Sequence, residues 1–270
     1  MNTLTDFILG EIDRGSFPSA QYAVAEEGVI LEEGAHGWAV LTPERIAATP
    51  ETIYDLASLT KPLVTALLSV MLNERAALRL SESVAFFLDE FKAAFKPDDK
   101  RDITLADLLT HTSGLPPWRP LYCDAVSPGE TIAAISRLPL ERDSSGGRPV
   151  IYSDLNYILA GRIIEVVAGE SLDRVASREI FRPAGVTSAM FNPAQELRPR
   201  IAATELGRAY ERSAVSEMGI DQTVSATPLL GDDVIWGTVH DGNASFLGGV
   251  AGHAGLFSTA REIVKLASQF

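Results

Sequence analysis

Cysteine and basic residues are both scarce in this 270-residue sequence. Cys123 is the only cysteine, which excludes an internal disulfide and a cysteine-rich metal site and indicates a structural or surface thiol. The chain has 23 Lys and Arg against 36 Asp and Glu, for a net charge of −13. Since nucleic-acid binding needs a basic patch, this balance argues against that function and fits an acidic, soluble surface.

Long apolar runs are also missing. No window has the length and apolarity of a membrane span. The N-terminal segment, interrupted by Asp6 and Glu11, lacks the basic and apolar regions of a signal peptide. We therefore expect a cytoplasmic protein, while noting that a trimmed export signal would leave the same pattern. With 46% hydrophobic and 22% charged residues, the composition is globular.

Hydrophobic periodicity predicts a mixture of helices and a hairpin. Two strand-like runs, 19–26 and 29–41, meet at Gly28 and indicate an antiparallel hairpin packed by the first helix. The stretch 112–130 is rich in Pro and Gly and is predicted to be a loop. Helices are predicted over 3–14, 58–74, 81–91, 104–110, 154–168, 171–180 and a last segment with apolar Ile263, Leu266, Ala267 and Phe270. Thr104 with Asp107, and Thr259 with Glu262, have the spacing of helix caps.

The segment Tyr54-Asp-Leu-Ala-Ser58-Leu-Thr-Lys61-Pro62 carries the strongest chemical signal. A Ser and a Lys three residues apart on a helix lie on one face, which suits a serine activated by an amine. Pro62 is tolerated only in a first turn and therefore places the helix start near Ser58, where free backbone N–H groups favour an oxyanion. The alternative is a helix-capping serine beside a surface lysine. The apolar helix behind Ser58 and the absence of a second such pair favour the catalytic interpretation.

Ser58-Leu-Thr-Lys61 resembles the Ser-x-x-Lys element of serine β-lactamases and penicillin-binding proteins, and in particular class C β-lactamases and related esterases. Three further segments match in the expected order over nearly the whole chain. They are Leu108-Leu-Thr-His111-Thr-Ser-Gly-Leu115, Tyr152-Ser-Asp154-Leu-Asn-Tyr157 and Gly252-His253-Ala-Gly255-Leu-Phe-Ser-Thr259-Ala.

The resemblance implies a catalytic tyrosine at Tyr152, which by itself would more often be a packing aromatic. A phenol has a pKa near ~10, so Lys61 could share one proton with it. Asp154 stands where class C β-lactamases have Asn, and a carboxylate only accepts hydrogen bonds. We expect Asp154 to bind substrate and it could also hold Lys61 charged; the alternative is that it merely caps a helix that begins at Leu155. His111 is expected to shape a loop rather than to take part in catalysis.

The third motif of the family, Lys/His-Thr/Ser-Gly, is not found. His253-Ala254-Gly255 resembles it superficially, but its context matches a pocket-lining segment, and we expect these three residues to bind substrate. Because no later residues exist, we expect a truncated chain that lacks the last sheet strands and part of the oxyanion hole. No Gly-x-Ser-x-Gly elbow, zinc motif or phosphate loop occurs, so no metal or cofactor is implied.

The resemblance implies an α+β fold of the transpeptidase and β-lactamase type, with an antiparallel sheet flanked by helices and an inserted helical region. We expect one domain, with an α/β part over 1–75 and about 230–270 and a mainly helical part over about 76–229. The predicted function is a serine hydrolase with a small-molecule ester, amide or peptide substrate and catalytic Ser58, Lys61 and Tyr152. The alternative is a weak or inactive truncated homologue that binds such a ligand.

Overall fold

The computed structural model describes residues 3–92, 100–220 and 232–268. Its α-helices are α1 (Thr3–Asp13), α2 (Leu67–Glu74), α3 (Val84–Phe87), α4 (Asp89–Lys92), α5 (Leu105–Leu109), α6 (Leu121–Asp124), α7 (Thr131–Arg137), α8 (Asp154–Ala168), α9 (Leu172–Ala176), α10 (Ala209–Glu217), α11 (Gly242–Phe246) and α12 (Ala260–Ala267). Its strands are β1 (Ser19–Glu26), β2 (Val29–Val40), β3 (Ile46–Ala47), β4 (Tyr54–Asp55), β5 (Glu205–Leu206), β6 (Val234–Ile235) and β7 (Phe257–Ser258).

The N-terminal hairpin has the predicted form. Strand β1 pairs antiparallel with β2, and their ends meet at the pair Glu26 and Val29. The two loop residues between them, Glu27 and Gly28, both have positive φ, at 49° and 79°. Two successive positive φ values match the twist of a tight hairpin, so Gly28 supplies the turn that the sequence indicated. Helix α1 contacts β2, and α12 contacts both strands.

The strands form three small antiparallel sheets in the described residues rather than one broad sheet. They are β1-β2-β3, the pair β4-β7 and the pair β5-β6. The mixed α and β architecture is as predicted. The division into an α/β part and a helical part stays a prediction, and β5 lies inside the range assigned to the helical part.

The helix predicted over 58–74 is divided into three pieces. A single 3₁₀ turn covers Ala57–Leu59, wide π-helical turns cover Lys61–Ala66, and regular helix begins only at α2. Pro62 stands in the first turn of the π segment, as a residue without an N–H must. Wide turns of this kind are rare and are frequently found at functional sites.

Helix α8 is the central element of the helical region and has the predicted bounds. Its apolar stripe packs into one core with α3, α5 and α7, while Ile164 joins a second core with α2 and α9. Gly169 ends the helix with φ of 70°, which a residue with a side chain rarely adopts. Helix α8, whose first residue is Asp154, is therefore anchored in two cores.

Both predicted helix caps were confirmed, whereas the predicted loop over 112–130 was wrong in part. Thr104 and Asp107 form the capping box of α5, with Thr104 Oγ1 accepting from Asp107 N at 3.1 Å. Thr259 accepts from Glu262 N at the start of α12, and Phe270 lies outside the described residues. The predicted loop 112–130 was wrong in part, because it contains α6 and a short 3₁₀ turn after Pro128. The sequence did not predict α7, α10 or α11.

Candidate active site

Ser58 and Lys61 are in direct contact at the start of the helical segment that leads into α2. Lys61 Nζ lies 2.8 Å from Ser58 Oγ and also donates to the carbonyl oxygen of His253 at 3.1 Å. The lysine side chain is only 3% exposed, whereas Ser58 is open to solvent. The serine is therefore reachable by a substrate, and the amine is held beneath it.

The turn that carries Ser58 is fixed by side chains of its neighbours. Ala57 has a left-handed φ of 46°, and its N–H donates to Asp55 Oδ1 at 2.8 Å. Thr60 Oγ1 donates to the Ala57 carbonyl at 2.7 Å and accepts from Leu256 N at 3.1 Å. These bonds tie the turn to the β4–β7 pair and hold Ser58 in place.

Asp154 supplies a carboxylate to the same amine. Its Oδ1 lies 2.6 Å from Lys61 Nζ, and its side chain is 19% exposed. The residue is the first of α8, and Ser153 stands in the N-cap position without capping through its side chain. The N-cap position of α8 is thus held by Ser153, and the Asp154 carboxylate lies against Lys61, while a role of Asp154 in the chemistry stays a prediction.

Tyr152 lies beside Lys61 on the open side of the site. Its ring centroid is 4.9 Å from Lys61 Nζ, which is cation–π distance, and the residue is 55% exposed. The ring of Tyr157 lies on another side of the amine, with its centroid at 5.9 Å. The three side chains predicted to be catalytic are thus gathered in one place.

His111 orients the segment that carries Tyr152. Its ring packs against Tyr152 with 4.6 Å between centroids, and its Nδ1 accepts from Ser153 N at 3.0 Å. The His111 carbonyl also accepts from Ile151 N at 2.9 Å. Burial and the positive charge of Lys61 lower the pKa of His111, which keeps Nδ1 unprotonated and able to accept. This geometry agrees with the expected shaping role.

An open cleft exposes Ser58 to solvent. Its walls combine polar side-chain atoms with aromatic and aliphatic side chains, which is typical of ligand-binding clefts. The lining residues are Leu56, Ser58, Leu59, Lys61, Pro62, His111, Tyr152 and Tyr157.

The segment His253-Ala254-Gly255 lies behind Lys61 and is not part of that lining. His253 is 1% exposed and Ala254 2%. A hydrogen bond from Lys61 Nζ to the His253 carbonyl joins this segment to the site. Direct contact with a substrate stays a prediction for these three residues.

No pattern in the sequence points to Asp241. Its Oδ1 lies 2.8 Å from His253 Nε2 and accepts from Ala244 N at 2.8 Å, at the N-cap of α11. The Asp-x-x-Ala spacing is that of an ordinary helix cap. Nothing in a sequence pattern pairs this cap with a histidine twelve residues later in the chain.

Neither a metal site nor a membrane helix is found in the described ranges. No group of three or more His, Cys, Asp or Glu side chains there could hold a metal ion. Similarly, none of the helices over 3–92, 100–220 and 232–268 has the length and apolarity needed to cross a bilayer.

A family model and curated protein sequences both match nearly the whole chain. The family model described as Beta-lactamase matches residues 4–269. A putative D-alanyl-D-alanine carboxypeptidase of Escherichia coli is 34% identical over 288 residues, covering 98% of this chain and 62% of that protein. Its counterpart in Salmonella typhimurium is 32% identical over 98% of this chain and 63% of its own length. The chain thus spans about three fifths of these relatives.

Solved structures share the fold at low sequence identity. The octameric penicillin-binding protein homologue from Pyrococcus abyssi has a TM-score of 0.71 at 22% identity, over 100% of this chain and 56% of that one. A class C beta lactamase from Rhodobacter sphaeroides has a TM-score of 0.70 at 22% identity, over 98% and 64%. These likenesses confirm the predicted fold class.

Proposed function

Because the chain belongs to the Beta-lactamase family, we propose that it is a serine hydrolase that cleaves an ester or amide through a covalent acyl-enzyme. The observation that carries this proposal is the 2.8 Å contact between Lys61 Nζ and the solvent-open Ser58 Oγ. A serine hydroxyl is a weak nucleophile unless a basic group takes its proton, and a buried amine one helical turn away is suited to that task.

In the first step Ser58 Oγ attacks the substrate carbonyl carbon and forms a C–O bond. The hydroxyl proton passes to Lys61 or to the phenolate form of Tyr152. It is then delivered to the leaving alcohol or amine as the scissile bond breaks. In the second step water attacks the acyl-enzyme, which releases a carboxylic acid and restores the serine hydroxyl.

The backbone N–H of Ser58 is the proposed donor to the negative charge that develops on the carbonyl oxygen. Ser58 lies in the 3₁₀ turn Ala57–Leu59 that opens the helical segment. The first N–H groups of a helix have no partner in the helix itself, and the helix dipole favours negative charge there. A donor fixed in this way stabilises the transition state without first having to reorganise.

Tyr152 and Lys61 are proposed to share the transferred proton. Their separation, 4.9 Å from the amine to the ring centroid, allows strong coupling between an ammonium and a phenol. The contact of Asp154 with Lys61 at 2.6 Å favours an ammonium in the resting enzyme. The pair is proposed to take up the serine proton as one unit, and neither residue alone is named as its acceptor.

Asp154 also affects which class of substrate the site can bind. An amide side chain at this position could both donate and accept, whereas the carboxylate accepts only and is already engaged by Lys61. We therefore favour an esterase or amidase, including a peptidase, over a dedicated β-lactamase. The curated relatives named as putative D-alanyl-D-alanine carboxypeptidases make a peptide ending in D-alanine one substrate to test.

A fluorophosphonate probe tests the proposal. Wild-type protein should take up one probe per chain, and S58A should take up none. S145A is the matched control, because Ser145 is an exposed serine bonded to Asp143 in a loop. This variant should label like the wild type. Folded wild-type protein that resists the probe would instead support a ligand-binding homologue without turnover.

A substrate panel then separates the activities. We expect hydrolysis of p-nitrophenyl esters and of a small amide or peptide, and slow turnover of a chromogenic cephalosporin. Rapid cephalosporin turnover with no ester hydrolysis would contradict the preference for an esterase or amidase. All activities should be lost together in S58A, because they share one nucleophile.

A further inference from the structure

The histidine behind Lys61 has an unusual environment for a residue without an assigned role. His253 is 1% exposed, and its Nε2 lies 2.8 Å from Asp241 Oδ1. Its other ring nitrogen, Nδ1, is buried and has no hydrogen-bond partner among the described residues. A buried polar atom left unsatisfied costs roughly 1–3 kcal/mol. An imidazole is therefore a poor choice for stability alone at this position, which points to a role in the site.

The backbone beside this histidine is clamped against α8. A Cβ on Gly252 would lie 2.0 Å from the carbonyl oxygen of Tyr157, so the chain can pass there only as glycine. The Gly252 carbonyl accepts from Thr65 Oγ1 at 2.7 Å. The backbone just before His253 is thus held in place by the packing of Gly252. The hydrogen bond of the His253 side chain to Asp241 holds the residue itself.

Asp241 is a dependable acceptor for the imidazole. Burial alone would raise its pKa, but the charge and hydrogen bond of His253, the N–H of Ala244 and the charge of Lys61 lower it to about 2. Asp241 is consequently a carboxylate throughout the neutral pH range. It is also anchored as the N-cap of α11.

We infer that His253 and Asp241 are a positioning pair for Lys61. Their hydrogen bond sets the peptide plane of His253, whose carbonyl accepts from Lys61 Nζ at 3.1 Å and aims the amine at Ser58 Oγ. This inference rests on the proposed function, which needs that amine beside the serine. Neither residue lines the cleft that exposes Ser58, so the pair acts through Lys61.

The pair acts on one property, the direction of the lysine side chain. Lys61 donates to two acceptors, Ser58 Oγ and the His253 carbonyl, and its Nζ lies 2.6 Å from the Asp154 carboxylate, at ion-pair distance. If the carbonyl moves, the amine can turn toward Asp154 and leave the serine. The acylation step then slows, while the cleft that binds the substrate keeps its shape.

The test compares two substitutions of similar size. H253L removes the donor to Asp241, whereas H253Q can place an amide N–H near the position of Nε2. Each is measured for ester hydrolysis per active site, with the sites counted by fluorophosphonate uptake. We expect H253L to lower kcat roughly 10–100-fold, the usual effect of removing an outer partner of a reacting group, with KM unchanged. H253Q should recover most of the loss.

A purely structural role would give a different pattern. It would lower the number of titrated sites in H253L and leave the rate per site at the wild-type value, and that result would overturn the inference. H253Q as impaired as H253L would overturn it equally. H36L is the matched control, because His36 is a partly buried histidine on β2 outside the cleft. It should keep the wild-type rate per site.

A second variant covers the case in which H253L does not fold. D241S keeps a side chain that can cap α11 but is too short to reach the imidazole. It should lose activity as H253L is expected to, with wild-type KM. A D241S enzyme with the wild-type rate per site would contradict the inference.

A spectroscopic measurement separates this inference from the proposed function. The chain has five lysines, so protein labelled with ¹³C at lysine Cε gives few signals, and K61R identifies the one from Lys61. That signal should shift in H253L and D241S but not in H253Q or H36L. If wild-type protein fails to react with the probe, the proposed function falls, and this signal still decides the inference: an unchanged Lys61 resonance in H253L and D241S refutes it.

Discussion

Lys61 and Asp154 form an ion pair of 2.6 Å at the base of the cleft, with the lysine side chain 3% and the aspartate side chain 19% exposed. The amine that contacts the proposed nucleophile is therefore also bound to a carboxylate at the start of α8. This relationship joins the two motifs of the site, Ser58-Leu-Thr-Lys61 and Tyr152-Ser-Asp154, in one contact. It has consequences for stability as well as for chemistry.

Replacing the carboxylate should destabilise the fold. D154N leaves a buried ammonium without its counter-charge, and breaking one partner of such a pair is costly. Allowing for the partial exposure of Asp154, we expect a loss of about 2 kcal/mol in the free energy of unfolding at pH 7, measured by urea denaturation. D89N is the matched control, since the pair of Asp89 with Lys92 is exposed, and it should cost nothing measurable. Equal losses in both variants would contradict the account.

The stability of the protein should fall at acidic pH partly through Asp241. Its pKa is lowered from 3.8 to about 2 in the folded protein, chiefly by the charge and hydrogen bond of His253, which outweigh the opposing effect of burial. A lowered carboxyl pKa stabilises the fold above its unfolded value, and this contribution is lost as the pH falls through the folded value. The wild type should thus exceed D241N by about 2 kcal/mol at pH 6, with the difference closing between about pH 4 and pH 2.

Urea denaturation of wild type and D241N at a series of pH values measures that difference. D124N is a suitable control, because Asp124 is bonded to Arg119 near the surface and away from the cleft. A wild-type advantage over D241N that stays constant from pH 6 to pH 2 would show that Asp241 is not held as a carboxylate by His253.

Activity should decline on the acid side because of His111. Burial and the nearby Lys61 charge lower its pKa from the ordinary 6.5, so the ring is neutral at pH 7 and Nδ1 accepts from Ser153 N. Protonation at lower pH ends that acceptance and releases the segment that carries Tyr152. We expect kcat to fall with pH below 6.5 in the wild type, from pH–rate profiles of ester hydrolysis.

H111N separates this effect from other titrations. An asparagine Oδ1 can accept near the position of Nδ1 and does not titrate, so the variant should keep activity at pH 7 and show a weaker acid decline. An unchanged acid decline in H111N would assign the titration to another group.

The close passage of Gly252 beside α8 should not tolerate a side chain. A Cβ there would lie 2.0 Å from the Tyr157 carbonyl oxygen, so G252A must push the segment away from the helix. We expect a loss of roughly 1–3 kcal/mol in thermal or urea denaturation, together with lower activity as the His253 carbonyl shifts. G10A in helix α1 is the control, because its Cβ would meet nothing closer than 3.9 Å. That variant should be neutral or more stable.

Local patterns predicted the elements that depend on short segments of chain. The stripe of α8 and its terminal Gly169, the hairpin loop at Gly28 and the capping box at Thr104 all result from neighbouring residues, and the structure agrees with each. The uniform helix predicted from Ser58 was wrong, because periodicity does not distinguish π-helical turns from α-helix. The two-residue strands β4 and β7 are too short to have a pattern.

Only the site residues that belong to a sequence motif could be predicted. Ser58, Lys61 and Tyr152 were named from the sequence, and the structure brings them together. The partner of His253 was not predicted, because the contact with Asp241 depends on how α11 packs and not on spacing. The sequence also could not decide whether Asp154 caps α8 or binds Lys61, since both roles use the same residue at the same helix end.

The most direct test of the central claim is to trap the acyl-enzyme. Wild-type protein is mixed with excess p-nitrophenyl ester, quenched in acid within the first turnover, digested and analysed by mass spectrometry. The account predicts a burst of p-nitrophenol equal to the number of protein chains and an acyl adduct on Ser58. An adduct on another residue while Ser58 stays unmodified, or ester hydrolysis by S58A at the wild-type rate, would contradict it.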